Sequence, residues 1–94
     1  MKRLFLSMAT PEKVLRSAPS LWRADNNTGT QEGFVEGRTG RLVLRDHPYC
    51  DTPQARAGYA EMVRYILELT RAQNVTETHG VVGPRAFEIK LRWT

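Results

Sequence analysis

The stretch DTPQARAGYAEMVRYILELTRAQ, residues 51–73, is the longest periodic segment of the chain. Ala55, Tyr59, Met62, Val63, Ile66, Leu67 and Thr70 recur at spacings of three and four, the period of an amphipathic helix. Asp51 or Thr52 supplies an N-cap and Pro53 falls in the first turn, where a missing N–H costs nothing. Arg71 suits a last turn, and Asn74 marks the stop. The sequence therefore predicts one long central helix over 51–73, with the rest of the chain packed around it.

Upstream, Thr10-Pro11-Glu12 repeats the same start signal: cap, first-turn proline, early acid. Val14, Leu15, Ala18, Leu21 and Trp22 form an apolar stripe that Pro19 interrupts. The expectation is a short N-terminal helix kinked near Ser17-Ala18, or a pair of helical pieces. Residues 2–9 are mostly apolar after two basic residues, and read as a flexible or strand-like N-terminus or as the tail of an earlier helix. Their apolar run is too short for a secretory leader, and no run in the chain approaches transmembrane length.

After the loop Asp25-Asn26-Asn27-Thr28-Gly29 the period changes to two. Gln31–Glu36 and Arg41–Arg45 flank Gly37-Arg38-Thr39-Gly40, a β-hairpin pattern. Leu42 and Leu44 share one face; Arg41, Val43 and Arg45 share the other. A second hairpin runs from Val75–Val82 through Gly83-Pro84 to Ala86–Trp93, where Phe87, Ile89, Leu91 and Trp93 alternate with Glu88, Lys90 and Arg92. One apolar and one polar face per strand suits an antiparallel sheet covered by helices on one side. The fold class is α+β: a four-stranded antiparallel sheet of two β-hairpins joined by the central helix, with the N-terminal helix on the same side. No internal repeat is evident.

Ninety-four residues make a single small domain, which buries only part of its surface and gains from a partner. The formal net charge is +4, and most of the 14 basic residues are Arg. They alternate with acids without forming a block, the pattern of an Arg-rich composition more than of an electrostatic footprint. A single cysteine, Cys50, permits no intramolecular disulfide and gives no sign of an oxidising compartment. A cytoplasmic protein is the default expectation.

The elements read together, APSLWRADNNTG (18–29), a hairpin, HPYCDTPQARAGYAEMVRYILEL (47–69), and a hairpin ending in FEIKLRW (87–93), resemble a myxobacterial paralogous family of unknown function. That family is similar to four-vinyl-reductase and haem-NO-binding-associated domains and, more distantly, to TRAPP-type tethering subunits. The shared marks are the Asn-Asn-Thr-Gly loop, Gly58-Tyr59 in the long helix, and a last strand closing on Trp93. Such domains carry a helical N-terminal half, so residues 18–94 match a C-terminal part. The resemblance implies a sensing, regulatory or protein-interaction module. It does not bring haem with it: neither histidine lies on an expected helix, and no tyrosine opens a Tyr-x-Ser-x-Arg clamp.

Nothing in the sequence assembles a catalytic string, and no catalytic residue and no cofactor is assigned. His47, Cys50, Asp51 and His79 hold the right atoms for zinc, but His-x-x-Cys-Asp is not a ligand spacing, and no metal is assigned either. Cys50 precedes a helix start, where a thiol can be activated, yet no base and orienting residue accompany it. Three binding surfaces remain. Gly58, Tyr65 and Leu69 lie on a second stripe of the central helix and, with Trp22, form the expected interaction surface for a protein partner or a homodimer. Met62, Ile66, Phe87 and Ile89 could enclose an apolar ligand between helix and sheet. Arg41, Arg45, Lys90 and Arg92 would make an anion patch on the open sheet face, where nucleic acid could lie, although no stacking aromatic is expected there. The leading expectation is a non-catalytic regulatory or protein-interaction module.

Overall fold

The computed structural model describes residues 10–94; the reading of residues 1–9 lies outside the described residues. The elements run α1 (Pro11–Asp25), β1 (Thr30–Glu36), β2 (Thr39–Arg45), a 3-10 turn (Pro48–Cys50), α2 (Pro53–Glu68), β3 (Thr76–Gly83) and β4 (Ala86–Arg92). The four strands form one antiparallel sheet in the order β1-β2-β4-β3. This is the α+β arrangement expected, with both hairpins in place.

Both helices open on a Thr-Pro pair. Thr10 Oγ1 accepts the Lys13 N–H at 3.2 Å, and Thr52 Oγ1 accepts the Ala55 N–H at 3.0 Å. Thr52, not Asp51, is thus the cap of α2, and Asp51 is instead engaged by Arg85. Two points refine the expectation. First, of the two forms expected for α1 the single helix is found, continuous across Pro19. Proline has no N–H to offer the Leu15 carbonyl, and that oxygen lies against Gly33 on β1, where an added Cβ would sit only 2.5 Å from it. Second, α2 has 16 residues and ends at Glu68, short of Gln73. The Thr70 hydroxyl donates to the Leu67 carbonyl at 2.6 Å and accepts the Ala72 N–H at 3.1 Å, so local side-chain bonding replaces the next helical turn. Asn74 then takes positive φ, as a stop residue should.

The turns are also tighter than expected. Thr39 and Gly40 pair with Glu36 and Val35, leaving Gly37-Arg38 as a two-residue turn with Gly37 at φ 60°. Pro84-Arg85 closes the second hairpin. Leu42 and Ile89, the middle residues of β2 and β4, are register partners across the sheet centre. The chain therefore consists of two successive helix–hairpin units related by a local two-fold through that pair. This repeat is in the architecture and was not evident in the sequence.

Leu15, Leu44, Leu67, Phe87 and Ile89 are the largest fully buried side chains, and Trp93 closes the core. Gly33 and Gly40 leave a gap on the sheet into which Leu15 fits, so two missing side chains set how closely α1 approaches. The opposite face is not wholly wet, as the alternation predicts. Val43 is buried there, beneath the flanking Arg41–Glu88 and Arg45–Glu32 ion pairs.

Candidate functional site

α1 packs chiefly on β1, while α2 packs on the β3 side of the sheet and on the 3-10 turn. Between them an apolar groove of about 1030 Å³ opens to solvent. Val14, Ala18 and Leu21 line one wall, and Met62 and Ile66 the other; Leu42 and Gln31 come from the sheet. Trp22, Tyr49 and Tyr59 contribute aromatic surface.

Their positions follow from a cluster of rings. Tyr49 stacks on Tyr59 with centroids 5.2 Å apart, and Trp22 meets His47 edge-on at 4.7 Å. The Trp22 indole N–H donates to the Thr28 carbonyl at 3.3 Å, tying the Asn-Asn-Thr-Gly loop to α1. His47 Nδ1 accepts the Tyr49 N–H at 3.1 Å and so caps the 3-10 turn. Burial, reinforced by the positive charge of Arg85 and opposed by Asp51, holds His47 below the usual histidine pKa. A neutral ring is what this bond requires, because Nδ1 must accept.

A buried polar pair within the groove is Gln31 and Tyr59. The Gln31 amide donates to the Tyr59 hydroxyl, and both residues are buried. Burial pushes the Tyr59 phenol above its ordinary pKa, against the opposing pull of that hydrogen bond. A neutral donor–acceptor pair in a mostly apolar recess, whose charged lining residues are Lys13 and Asp25, can orient a bound group without itself imposing charge.

Of the residues singled out in the sequence, Met62 and Ile66 line this groove. Phe87 and Ile89 do not: both are fully buried in the core beneath it, so the space between α2 and the sheet is filled, and the opening lies between the two helices. Trp22 is likewise a core residue at the groove's edge, 6% exposed, and offers little free surface. Tyr65 is 59% exposed, Leu69 caps the end of α2, and an added Cβ on Gly58 would meet nothing within 4 Å. Gly58, Tyr65 and Leu69 do not line the groove, whereas Leu21, 60% exposed, and Met62, 46% exposed, border it on its two walls. Leu21 and Gln31 escaped the sequence reading because a stripe residue and a strand glutamine look ordinary until two helices splay around them.

Arg41, Arg45, Lys90 and Arg92 lie on the far face of the sheet, and the first three are engaged by carboxylates. Arg41 pairs with Glu88 at 2.9 Å, Arg45 with Glu32 at 2.8 Å, and Lys90 approaches Glu88 at 3.7 Å. The residues weighed as metal ligands are not brought together: His47 is held in the ring cluster, His79 meets Glu77, and Asp51 meets Arg85. The buried Cys50 thiol donates to the Leu44 carbonyl at 3.4 Å. Among the described residues no group of three or more His, Cys, Asp or Glu could hold a metal ion, and no helix is long and apolar enough to cross a membrane.

No family model, curated protein or solved structure matches the chain.

Proposed function

We propose that the chain is a non-catalytic cytoplasmic regulatory or interaction module, and that it associates through its helical layer with a second copy or a partner of similar apolar chemistry. The observation that carries this reading is the groove between α1 and α2, bordered by the exposed apolar side chains of Leu21 and Met62, with Tyr65 farther along α2. Burying apolar surface stabilises by about 25 cal/mol per Å², so a helical segment laid between α1 and α2 gains where solvent now gains nothing. Gly58 lies on the same helix with open space above it, which lets another backbone approach closely.

The test is native mass spectrometry and light scattering on the purified chain and on two double variants, Tyr65→Ser/Leu69→Ser and Leu21→Ser/Met62→Ser. The parent is expected to assemble, and the variants to remain folded and dissociate. A parent that stays monomeric at every concentration removes self-association, and variants that assemble like the parent remove this surface.

A second reading, a sensor for a small apolar ligand, is favoured by one observation: Gln31 and Tyr59 place a hydrogen-bonding pair within the groove. Extra mass on each chain in the native spectrum, lost in Gln31→Leu, would put this reading first.

A further inference from the structure

The far face of the sheet carries a second concavity, of about 640 Å³, at the end where β1 turns into β2. Two cross-strand rows build it. Phe34, Arg41, Lys90 and Thr78 follow one another across β1, β2, β4 and β3, and Glu36, Thr39, Arg92 and Thr76 form the next row. The alternation of the strands brings each row to the same face.

Three features of this surface were not legible in the sequence. The first is an aromatic ring: Phe34 is 42% exposed, and the Arg41 guanidinium lies over it, 4.3 Å from the ring centroid. The second is the charge that remains once the ion pairs are counted. Glu88 is shared by Arg41 and Lys90, and Glu32 is taken by Arg45, whereas Arg92 has no carboxylate within ion-pair distance among the described residues. Glu36, on the edge strand, is the remaining acid of these rows and engages no cation among the described residues. The third is the hydroxyl pair of Thr76 and Thr78 beside the cations, suited to donate to phosphate or sugar oxygens, whereas the Thr39 hydroxyl donates to the Glu36 carbonyl at 2.7 Å.

We infer that this face binds single-stranded nucleic acid: one base stacks at Phe34 while Lys90 and Arg92 hold adjacent phosphates. A surface of this kind pairs sequence-tolerant stacking with backbone contacts. A pleated sheet open on one side fits a splayed strand better than a duplex, whose bases are already stacked on each other. The site is independent of the helical groove, which lies on the opposite side of the sheet, and stands or falls separately from it.

The experiment is fluorescence anisotropy with a short labelled oligo(U), titrated over a range of salt concentrations. The parent is expected to bind at low salt, with affinity falling as salt rises. Arg92→Ala should weaken binding and lower the salt slope by about one. Phe34→Ala should weaken it roughly fivefold or more with the slope unchanged, since stacking releases no counterion. Phe34→Tyr should bind as the parent does, and guards against a loss that merely reflects misfolding. Arg64→Ala, on the helical side, should have no effect. Absence of binding at low salt, an equal loss with Arg64→Ala, or equal affinity for duplex RNA or for a free mononucleotide would each overturn the inference.

Discussion

The Leu15 carbonyl oxygen points at Gly33 closely enough that an added Cβ would lie 2.5 Å away. Pro19 has no N–H to give that carbonyl, which is left without its helical donor. Helix and strand are therefore joined at a point where each carries a residue its own secondary structure disfavours. Gly33→Ala forces backbone against backbone, which no side-chain rotation relieves, and is expected to destabilise by about 2 kcal/mol in urea unfolding. Gly80→Ala, where the added Cβ meets open space, should change stability by no more than about 0.5 kcal/mol. In Pro19→Ala the carbonyl regains a donor worth about 1 kcal/mol, offset by the looser unfolded chain at about 0.4–1 kcal/mol, so little net change is expected.

His47 makes stability depend on pH. Its folded pKa is lowered, so the unfolded chain takes up a proton near pH 6.5 while the folded chain still resists it. The contribution is fully present above pH 6.5 and is lost as pH falls through the lower folded value. His47→Asn keeps an acceptor for the Tyr49 N–H and cannot titrate, so urea midpoints measured between about pH 5 and 8 should flatten. Asp51, whose hydrogen bond and charge contact with Arg85 lower its pKa, adds a loss of the same sign at more acidic pH. A midpoint that rises on acidification would contradict both assignments.

Tyr59→Phe removes the acceptor of the buried Gln31 amide and is expected to cost about 1–2 kcal/mol. Adding Gln31→Leu should recover part of that cost, because the stranded polar group goes with its partner. In an alkaline spectrophotometric titration, Tyr59 should ionise above the ordinary tyrosine value of 10.0. That contribution to stability is present below pH 10 and disappears as pH rises through the folded pKa. If Tyr59 titrates with an exposed tyrosine, the recess is wetter than its geometry indicates.

Gly58 tests the interaction surface by a change in opposite directions. With nothing within 4 Å of its added Cβ, Gly58→Ala should stabilise the monomer by up to about 1 kcal/mol through helix propensity. The same methyl group should weaken any association in which a second backbone approaches α2. Sedimentation equilibrium together with thermal melts reads both. Stability gained with association unchanged would place the contact elsewhere.

The pattern of elements was legible because it rests on local periodicity: the alternation from Phe87 to Trp93 and the Thr-Pro starts at Thr10 and Thr52 need no tertiary information. What the sequence hid is set by contacts between distant residues. Pro19 reads as a kink or a break, and only the packed structure shows the helix continuous across it with the Leu15 carbonyl close against Gly33. Thr70 reads as part of a helical stripe until its hydroxyl is seen to close the helix. Phe87 and Ile89 have the composition of a pocket wall, and only the seating of α2 on the sheet makes them core. Phe34 shows no distinctive signal in its hairpin, and its exposure on the polar face appears only once the register is fixed.

The local two-fold at Leu42 and Ile89 has one more consequence. Each helix–hairpin unit completes its sheet only through the strand supplied by the other, and the connection between them is the short segment 46–52, with Asp46 at positive φ. Two chains that trade their second units would re-form every strand pairing of the monomer. Refolding at high protein concentration therefore has an exchanged dimer open to it, built from contacts the chain already possesses and divided from the monomer mainly by the geometry of seven linker residues.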